Sequence, residues 1–410
     1  MASLASMSTR LFQFAFVLLA AFIPFSIAGA NIAIGFSALA WILWVASHGR
    51  SWPDVLRGAR RDPLALAAAV LVLSALPSVW TSENTQRAFK DWESYWEILI
   101  VFMVGAHIAR VRAREPAFWT LAATSAAACV VAFVQRAGGV HFGPVSIGAA
   151  HRVGGTLFTM TFAGILYQLV AFNAAVATSP AVASRRRWLV LAIAMQFVAL
   201  MLTMTRGAWI AVFAGLAVVC VTLRSRALAF AGALALAVLV AFTLVYARDQ
   251  GRTIAVTEFA TTEADRNVAT RLVLWDMSWH MFLDHPLLGV GMGDYTIEAE
   301  KRLAQRHVRT TVDSHNVYLQ VLATRGLVGF VPLAAFLAVL VVSLVRLVRR
   351  HPPGSLERHY AVGALGAVAA VLIGALTENN LDDSEVFIAL MFLTGVARSA
   401  TSRENAPAGR

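Results

Sequence analysis

The chain consists mostly of apolar runs that are long enough to cross a membrane. A transmembrane helix needs about 17 to 25 apolar residues, and a search for such runs finds about twelve in the 410 residues. With 59% hydrophobic and only 14% charged residues, the composition excludes an ordinary soluble domain. We therefore predict an all-α polytopic membrane protein, with spans near 11–30, 31–47, 64–80, 94–109, 117–135, 157–178, 188–205, 207–223, 227–246, 327–345, 360–377 and 384–397.

The basic residues indicate how these spans are oriented. Short cytoplasmic loops are enriched in Lys and Arg, and 20 of the 34 Lys and Arg residues lie in cytoplasmic segments if the N-terminus is inside. We therefore expect both termini to be cytoplasmic. The net charge of +11 is sorted by loop along the membrane, so it requires no nucleic-acid partner, and membrane lipids are the expected surroundings. Residues 1–30 also resemble a cleavable signal peptide, although the run is long enough to be the first span.

The spans divide the chain into three parts. A long polar stretch, expected on the outer side, separates nine spans from the last three. Because a bare loop of this length is unusual, we predict that it contains helices. The predicted parts are transmembrane helices at 1–246, a helical outer loop at 247–326, and transmembrane helices with a cytoplasmic tail at 327–410.

Periodicity predicts three helices near this loop. Leu272, Trp275, Trp279 and Phe282 form an apolar stripe at helical spacing, which indicates a helix over about 265–283. A more polar helix is expected over about 295–309. A third helix is predicted to start at His315, with Asp313 or Ser314 as its N-cap.

His315 is the candidate general base. A neutral imidazole can take a proton from a hydroxyl group near neutral pH, and Asp313, Ser314 or Asn316 could orient the ring. A histidine that only packs or caps a helix is the alternative. The cations expected around His315 on the outer side favour the first interpretation. In it, His315 is the base of a reaction that transfers a group from a phosphate-bearing donor.

Several cations are expected near the same outer surface. A guanidinium group binds phosphate oxygens in a bidentate manner, so converging arginines could bind a pyrophosphate. Each cation could instead anchor to lipid headgroups or pair with a nearby carboxylate. The candidate pyrophosphate-binding residues are Lys90, Arg152, Arg206 and Arg271.

The spans have almost no ionisable residue at their centres, which disfavours a proton-coupled carrier.

The sequence contains no convincing metal or nucleotide motif. His280, Asp284 and His285 are close in sequence, but their spacing matches no common zinc site. The glycines at 289, 291 and 293 lack the preceding strand of a dinucleotide-binding loop, so they indicate a turn between outer helices. We predict neither a bound metal nor a cofactor.

Four segments together resemble the O-antigen ligase family, whose superfamily includes O-antigen polymerases and protein O-oligosaccharyltransferases. The most specific is DSHNVYLQVLATRGLVGF in the outer loop, and the others are HPLLGVGMGDY, RVGGTLF at 152–158 and TMTRGAW at 203–209. The resemblance implies a GT-C-like, inverting, metal-independent glycosyltransferase of the bacterial inner membrane. It implies O-antigen polysaccharide on undecaprenyl pyrophosphate as donor and a sugar hydroxyl of lipid A-core as acceptor.

The same resemblance implies roles for individual residues. His315 would be the base that activates the acceptor hydroxyl. Arg206, Arg152 and Arg271 would hold the pyrophosphate, with Lys90 assisting, and Asp313 and Asn316 would support the base. An O-antigen polymerase or a protein O-oligosaccharyltransferase would use the same donor, and a small-solute transporter is the alternative from another class.

Overall fold

The described part of the protein is helical throughout. The computed structural model describes residues 2–48, 57–138, 152–249, 263–303 and 313–399, and no β-strand occurs in these ranges. This confirms the prediction of an all-α polytopic membrane protein.

The helices follow one another with short connections. The first half of the chain forms α1 (Ala2–Phe22), α2 (Ile27–Ser47), α3 (Pro63–Ser74), α4 (Leu76–Trp80), α5 (Thr85–Glu93), α6 (Leu99–His107), α7 (Arg114–Gly138) and α8 (Thr159–Ala177). The second half forms α9 (Arg186–Leu202), α10 (Arg206–Leu223), α11 (Arg226–Asp249), α12 (Glu263–Asp284), α13 (Tyr295–Leu303), α14 (Val317–Arg350), α15 (Leu356–Gly374) and α16 (Ser384–Arg398). Two 3₁₀ helices, Ser94–Ile98 and Pro180–Arg185, precede α6 and α9.

Eight candidate membrane spans are long and apolar enough to cross a bilayer, counted over the described ranges. They are Ala5–Phe22, Ile27–Ser47, Pro63–Trp80, Arg114–Gly138, Thr159–Ala177, Arg206–Leu223, Val317–Arg350 and Leu356–Gly374. Helices also occupy the other four predicted positions. Of these, α6, α9 and α16 have fewer than 18 residues, and the apolar part of α11 is Arg226–Ala241.

Helix α8 lies at the centre of the bundle. Of its residues, 94% are buried, as expected for a helix that is apolar on all sides. It packs against α9, α10, α15 and α16. Small residues allow close approach there, since a Cβ at Gly215 would lie 2.7 Å from the carbonyl oxygen of Gly366 and 3.0 Å from Ala171 Cβ.

The two helices predicted from periodicity before α14 form where they were expected, but the buried face of α12 differs from the predicted stripe. Helix α12 confirms the helix expected at 265–283, and α13 begins at the expected residue and is described as far as Leu303. The rest of the helix expected at 295–309 lies outside the described residues. In α12 the core face is formed by Leu274, Met277 and Met281, whereas Leu272 and Trp279 of the predicted stripe remain exposed.

Two of the sequence motifs, HPLLGVGMGDY and DSHNVYLQVLATRGLVGF, contact each other through their backbones. The glycine-rich turn between α12 and α13 donates backbone hydrogen bonds from Val290 to Ala323 (2.8 Å) and from Gly291 to Thr324 (3.2 Å). Helix α14 breaks at Gly326, which has a φ of 59°, and a Cβ there would collide with the carbonyl of Leu287. The glycines therefore allow two backbones to touch, and 289–293 is a turn between two helices, as predicted.

The predicted start of the third outer helix was wrong. Helix α14 begins at Val317, and the side chain of Asn316 accepts hydrogen bonds from the N–H groups of Tyr318 and Leu319. Asn316 is therefore the N-cap, rather than Asp313 or Ser314. His315 has a φ of 51°, so it lies before the helix in a left-handed conformation and not on the first helical turn.

Candidate functional site

The segment between α15 and α16, residues 375–383 and here called the 375–383 loop, collects the candidate residues. The carboxylate of Glu378 lies between an imidazole and a guanidinium group. Its Oε1 accepts a hydrogen bond from Arg271 Nη2 at 2.6 Å, and its Oε2 lies 3.6 Å from His315 Nδ1. Residues from α12, from the segment before α14 and from this loop therefore meet at one carboxylate.

The backbone around His315 is held by several hydrogen bonds. Asp313 Oδ1 accepts from the His315 N–H at 2.8 Å. On the buried side, Trp275 Nε1 donates to the Ser314 carbonyl (3.1 Å), and the Ser314 N–H donates to Gln320 Oε1 (2.9 Å). These bonds compensate for the unfavourable left-handed conformation of His315 and hold its backbone in place.

One nitrogen of the His315 ring, Nδ1, faces two carboxylates. Nδ1 lies 3.4 Å from Asp313 Oδ1 and 3.6 Å from Glu378 Oε2. The second distance is beyond a normal hydrogen bond, so the contact in this structure is a charge interaction. The Glu378 carboxylate raises the pKa of His315 above its ordinary value, Asp313 adds to the effect, and burial opposes it. Nε2 forms no hydrogen bond with any residue that the structure describes.

Arg152 approaches the same carboxylate from the segment before α8. Its Nε donates to the Thr203 carbonyl (2.9 Å) and its Nη2 to Thr205 Oγ1 (3.0 Å). Burial lowers the pKa of Arg152, with Glu378 opposing this and Arg271 adding to it. Because an arginine pKa is far above neutrality, the side chain stays charged next to Arg271.

Arg206 is the first residue of α10 and directly follows the threonine that Arg152 contacts. Its side chain is exposed, and Thr205 gives the helix no side-chain cap. The next residue, Gly207, packs so closely on Thr377 of the 375–383 loop that a Cβ would collide with the threonine hydroxyl. Arg206 therefore stands beside the loop that carries Glu378, at a helix end that favours anions.

Lys90 and Asn316 are placed differently from the other candidates. Lys90 is exposed on α5 and lines a separate cavity with Asn84, Gln86, Arg87, Phe89 and Glu93. The charged groups that the structure describes next to the His315 ring are Asp313 and Glu378, and Lys90 is not one of them. The Asn316 side chain caps α14 and donates from Nδ2 to the Leu376 carbonyl at 3.2 Å, so it positions the loop and does not face the imidazole.

Glu378 lies at the centre of the candidate site, although the sequence indicated only that the polar run at 378–383 could help to shape an acceptor site and gave Glu378 no role of its own. The polar run at 378–383 is the only signal for it in the sequence. Such a run is equally typical of a solvated turn, and it lies far from His315 along the chain. Only the packing of α15 against α14 shows that the carboxylate faces the imidazole.

No group of three or more His, Cys, Asp or Glu side chains that could hold a metal occurs in the ranges that the structure covers. The residues near 280–285 have other partners. His280 Nδ1 donates to the Asp276 carbonyl oxygen at 2.8 Å, and Asp284 pairs with Arg302 at 2.7 Å.

A comparison with known protein families finds a match. The family model described as O-antigen ligase matches residues 189–334. The match covers 146 of the 410 residues and supports the resemblance of the chain to the O-antigen ligase family. The matched region holds Arg206, Arg271 and His315, whereas Arg152 and Glu378 lie outside it. No curated protein matches the chain.

The family match indicates a glycosyltransferase-type enzyme that acts on polysaccharide and lipid substrates. The eight candidate spans in the described ranges indicate a multi-pass membrane protein. The family does not by itself distinguish the acceptor.

Proposed function

We propose that this protein is a member of the O-antigen ligase family and an inverting, metal-independent glycosyltransferase of lipopolysaccharide biosynthesis. It transfers O-antigen polysaccharide from undecaprenyl pyrophosphate to a sugar hydroxyl of lipid A-core. The reaction takes place at the periplasmic face of the bacterial inner membrane. The observation that carries the proposal is the meeting of His315 with Arg271 at Glu378, beside Arg152 and Arg206.

His315 is the general base in this proposal. Its Nδ1 side faces Asp313 and Glu378, so Nε2 is the nitrogen that takes the proton from the acceptor hydroxyl. The resulting alkoxide oxygen attacks the anomeric carbon of the donor sugar, and the bond between that carbon and the pyrophosphate oxygen breaks. A single displacement of this kind inverts the anomeric configuration. The two carboxylates stabilise the imidazolium that forms.

The arginines stabilise the leaving group. Negative charge grows on the pyrophosphate as the bond breaks, and fixed guanidinium groups lower the energy of that charge. Arg152 is held by Thr203 and Thr205 before any substrate binds, so it is pre-oriented. Arg206 and the uncapped N-terminus of α10 supply further N–H donors. Lys90 lies outside these contacts, and we leave it out of the pyrophosphate site.

Arg271 has a second task in the same step. In the absence of donor it neutralises Glu378 through a 2.6 Å ion pair. A pyrophosphate that binds Arg271 competes for this guanidinium group. Glu378 is then left to pair with the imidazolium, so donor binding prepares the base for proton transfer.

Orientation supports a periplasmic active site. The Lys and Arg distribution predicts that the first half of α1, which carries Arg10, and the end of α16, which carries Arg398, face the cytoplasm. The 375–383 loop precedes α16 and follows α15, so it lies at the opposite side. The undecaprenyl-linked donor and lipid A-core are both amphipathic and present their sugars there.

Reconstitution tests the proposed activity. Purified protein in proteoliposomes receives a lipid-linked glycan and, in parallel, lipid A-core, a second glycan chain or a pilin-like peptide. We expect transfer to lipid A-core. Transfer only to glycan or peptide would indicate a polymerase or a protein O-oligosaccharyltransferase, and solute flux without glycan dependence would indicate a transporter.

A matched pair of histidine variants tests the base. His315→Ala is expected to abolish transfer while the protein still folds and binds donor. His280→Ala removes an exposed histidine of α12 and is expected to keep wild-type activity. Transfer by purified His315→Ala at the wild-type rate would refute the assignment of the base.

A further inference from the structure

Helix α12 has an exposed row of large apolar side chains that the proposed chemistry does not use. Leu272, Trp279 and Leu283, here called the apolar edge, are spaced by seven and four residues, so they lie on one face of the helix. They are 56%, 44% and 53% exposed. A contiguous exposed apolar surface of this kind marks a contact with a partner or with a membrane.

The rest of the α12 surface is divided between protein and water. The buried face packs against α13 and α14, and it consists of Leu274, Met277 and Met281. A third face, next to the apolar edge, is polar and exposed, and it consists of Asp276, His280 and Asp284. A helix that lies on a membrane surface has such neighbouring exposed faces, with the apolar one towards lipid and the polar one towards water.

The C-terminal end of α12 lies beside the lipid-facing surface of a candidate membrane span. The carbonyl oxygens of Pro286 and Leu287 accept hydrogen bonds from the N–H groups of Leu327 (2.9 Å) and Val328 (3.1 Å) of α14. Leu327 and Val331 lie one turn apart on this span and are exposed, as is Leu287. The apolar edge of α12 is therefore continued by Leu287 into the surface that α14 presents to lipid.

Both ends of α12 are held at the same end of the helix bundle. At the N-terminal end, Arg271 forms its 2.6 Å ion pair with Glu378 of the 375–383 loop, which joins two membrane-embedded helices. At the C-terminal end, α12 meets α14 just after Arg325, whose Nη2 lies 3.5 Å from Asp382 of the same loop. A helix that is tied at both ends to one side of the bundle lies along the membrane surface and does not cross it.

The residue types of the apolar edge fit the boundary between headgroups and acyl chains. Tryptophan is enriched at this depth because its ring is apolar and its N–H group can still reach polar partners. Trp279 lies between the two leucines of the edge, as expected for a helix embedded to this depth. A water-soluble partner fits less well, because the edge continues into a surface that faces lipid.

We propose that α12 is an interfacial helix that inserts Leu272, Trp279 and Leu283 into the membrane leaflet on the side of the 375–383 loop. Its partner is the lipid surface itself. Because Arg271 precedes Leu272, the insertion holds this guanidinium group at the depth of the headgroup phosphates. The pyrophosphate of a lipid-linked donor lies at that depth, and this last consequence rests on the proposed function.

Spin labels on single cysteines test the insertion. The two native cysteines, Cys129 and Cys220, are replaced by alanine, and the full chain is placed in nanodiscs of phosphatidylethanolamine and phosphatidylglycerol. Leu272→Cys and Leu283→Cys place labels on the apolar edge, and His280→Cys places the matched control on the polar face. Power-saturation EPR then measures collisions with oxygen, which concentrates in the bilayer, and with a water-soluble nickel chelate.

We expect both apolar-edge labels to collide mainly with oxygen, at about 5 to 10 Å below the headgroup surface. The His280→Cys label should collide mainly with the nickel chelate. The two apolar-edge labels should lie at similar depths, whereas a helix standing upright would separate them by about 16 Å. If Leu283→Cys does not fold, Trp279→Cys supplies the second label.

Three results would overturn the proposal. The apolar-edge labels could be as accessible to the nickel chelate as the control label, which would place the edge in water. They could be shielded from both reagents, which would show that a second copy or residues 250–262 or 304–312 of the same chain cover the edge. They could also differ in depth as an upright helix requires.

The measurement is independent of the proposed transfer reaction, because the labels report depth without any glycan. The predicted depths in a protein that transfers no glycan to any acceptor would refute the proposed function and support the interfacial helix. Water-accessible labels in a protein that transfers glycan would refute the interfacial helix and leave the proposed function standing.

Discussion

The substitution Glu378→Gln separates the electrostatic role of Glu378 from its shape. Glutamine keeps the size of the side chain but removes the negative charge that faces His315 at 3.6 Å. Two unit charges at that separation interact by roughly 5 kcal/mol at an effective dielectric constant of about 20. Because 23% of the His315 side chain is exposed, solvent screens much of this, and we expect a loss of about 2 kcal/mol in transition-state stabilisation. That corresponds to about a 30-fold lower kcat.

The pH dependence gives the same test an independent readout. Transfer requires neutral His315, so activity falls as the pH falls through its raised pKa. Removing the Glu378 charge lowers this pKa, and the acidic limb of the kcat profile should move to lower pH. The assay is glycan transfer to lipid A-core in proteoliposomes, with Glu83→Gln, an exposed outer carboxylate, as the control. An unchanged kcat and an unmoved acidic limb would refute the reasoning.

Three further predictions concern the scaffold and the cations. Arg206→Lys keeps the charge but loses the bidentate fork, so kcat/KM for the donor should fall at least tenfold, about 1.4 kcal/mol; equal activity would show that a point charge suffices. Gly326→Ala places a side chain at a positive φ and should lower the Tm by several degrees, a cost of about 1 to 3 kcal/mol, whereas Gly35→Ala, with open space around it, should not lower it. Trp275→Phe removes the hydrogen bond to the Ser314 carbonyl and should cost about 1 kcal/mol of stability and reduce kcat, and a wild-type kcat would contradict the role of this bond.

The sequence predicted the helices well because their signals are local. Apolar run length indicated the spans, and helical spacing indicated α12 within two residues of its observed ends. The start of α14 was missed, because Asp313, Ser314 and Asn316 are all good N-cap residues. Choosing among them depends on tertiary contacts, such as those of Trp275 with Ser314.

The site was predictable only in part. His315, Arg152, Arg206 and Arg271 were candidates because of their residue types and their expected side of the membrane. Glu378, the partner of His315 and Arg271, comes from a different hairpin of helices, so no local pattern marks it. The same holds for the contact of Arg325 with Asp382, which joins α14 to the 375–383 loop and leaves no periodic signal in the sequence.

A cryo-EM structure of His315→Ala with bound lipid-linked glycan tests the central claim most directly. The account predicts the pyrophosphate oxygens within hydrogen-bonding distance of Arg152, Arg206 and Arg271, and the anomeric carbon facing the position of the missing imidazole. A pyrophosphate bound instead at the Lys90 cavity, with the arginines still paired as in the ligand-free protein, would contradict it.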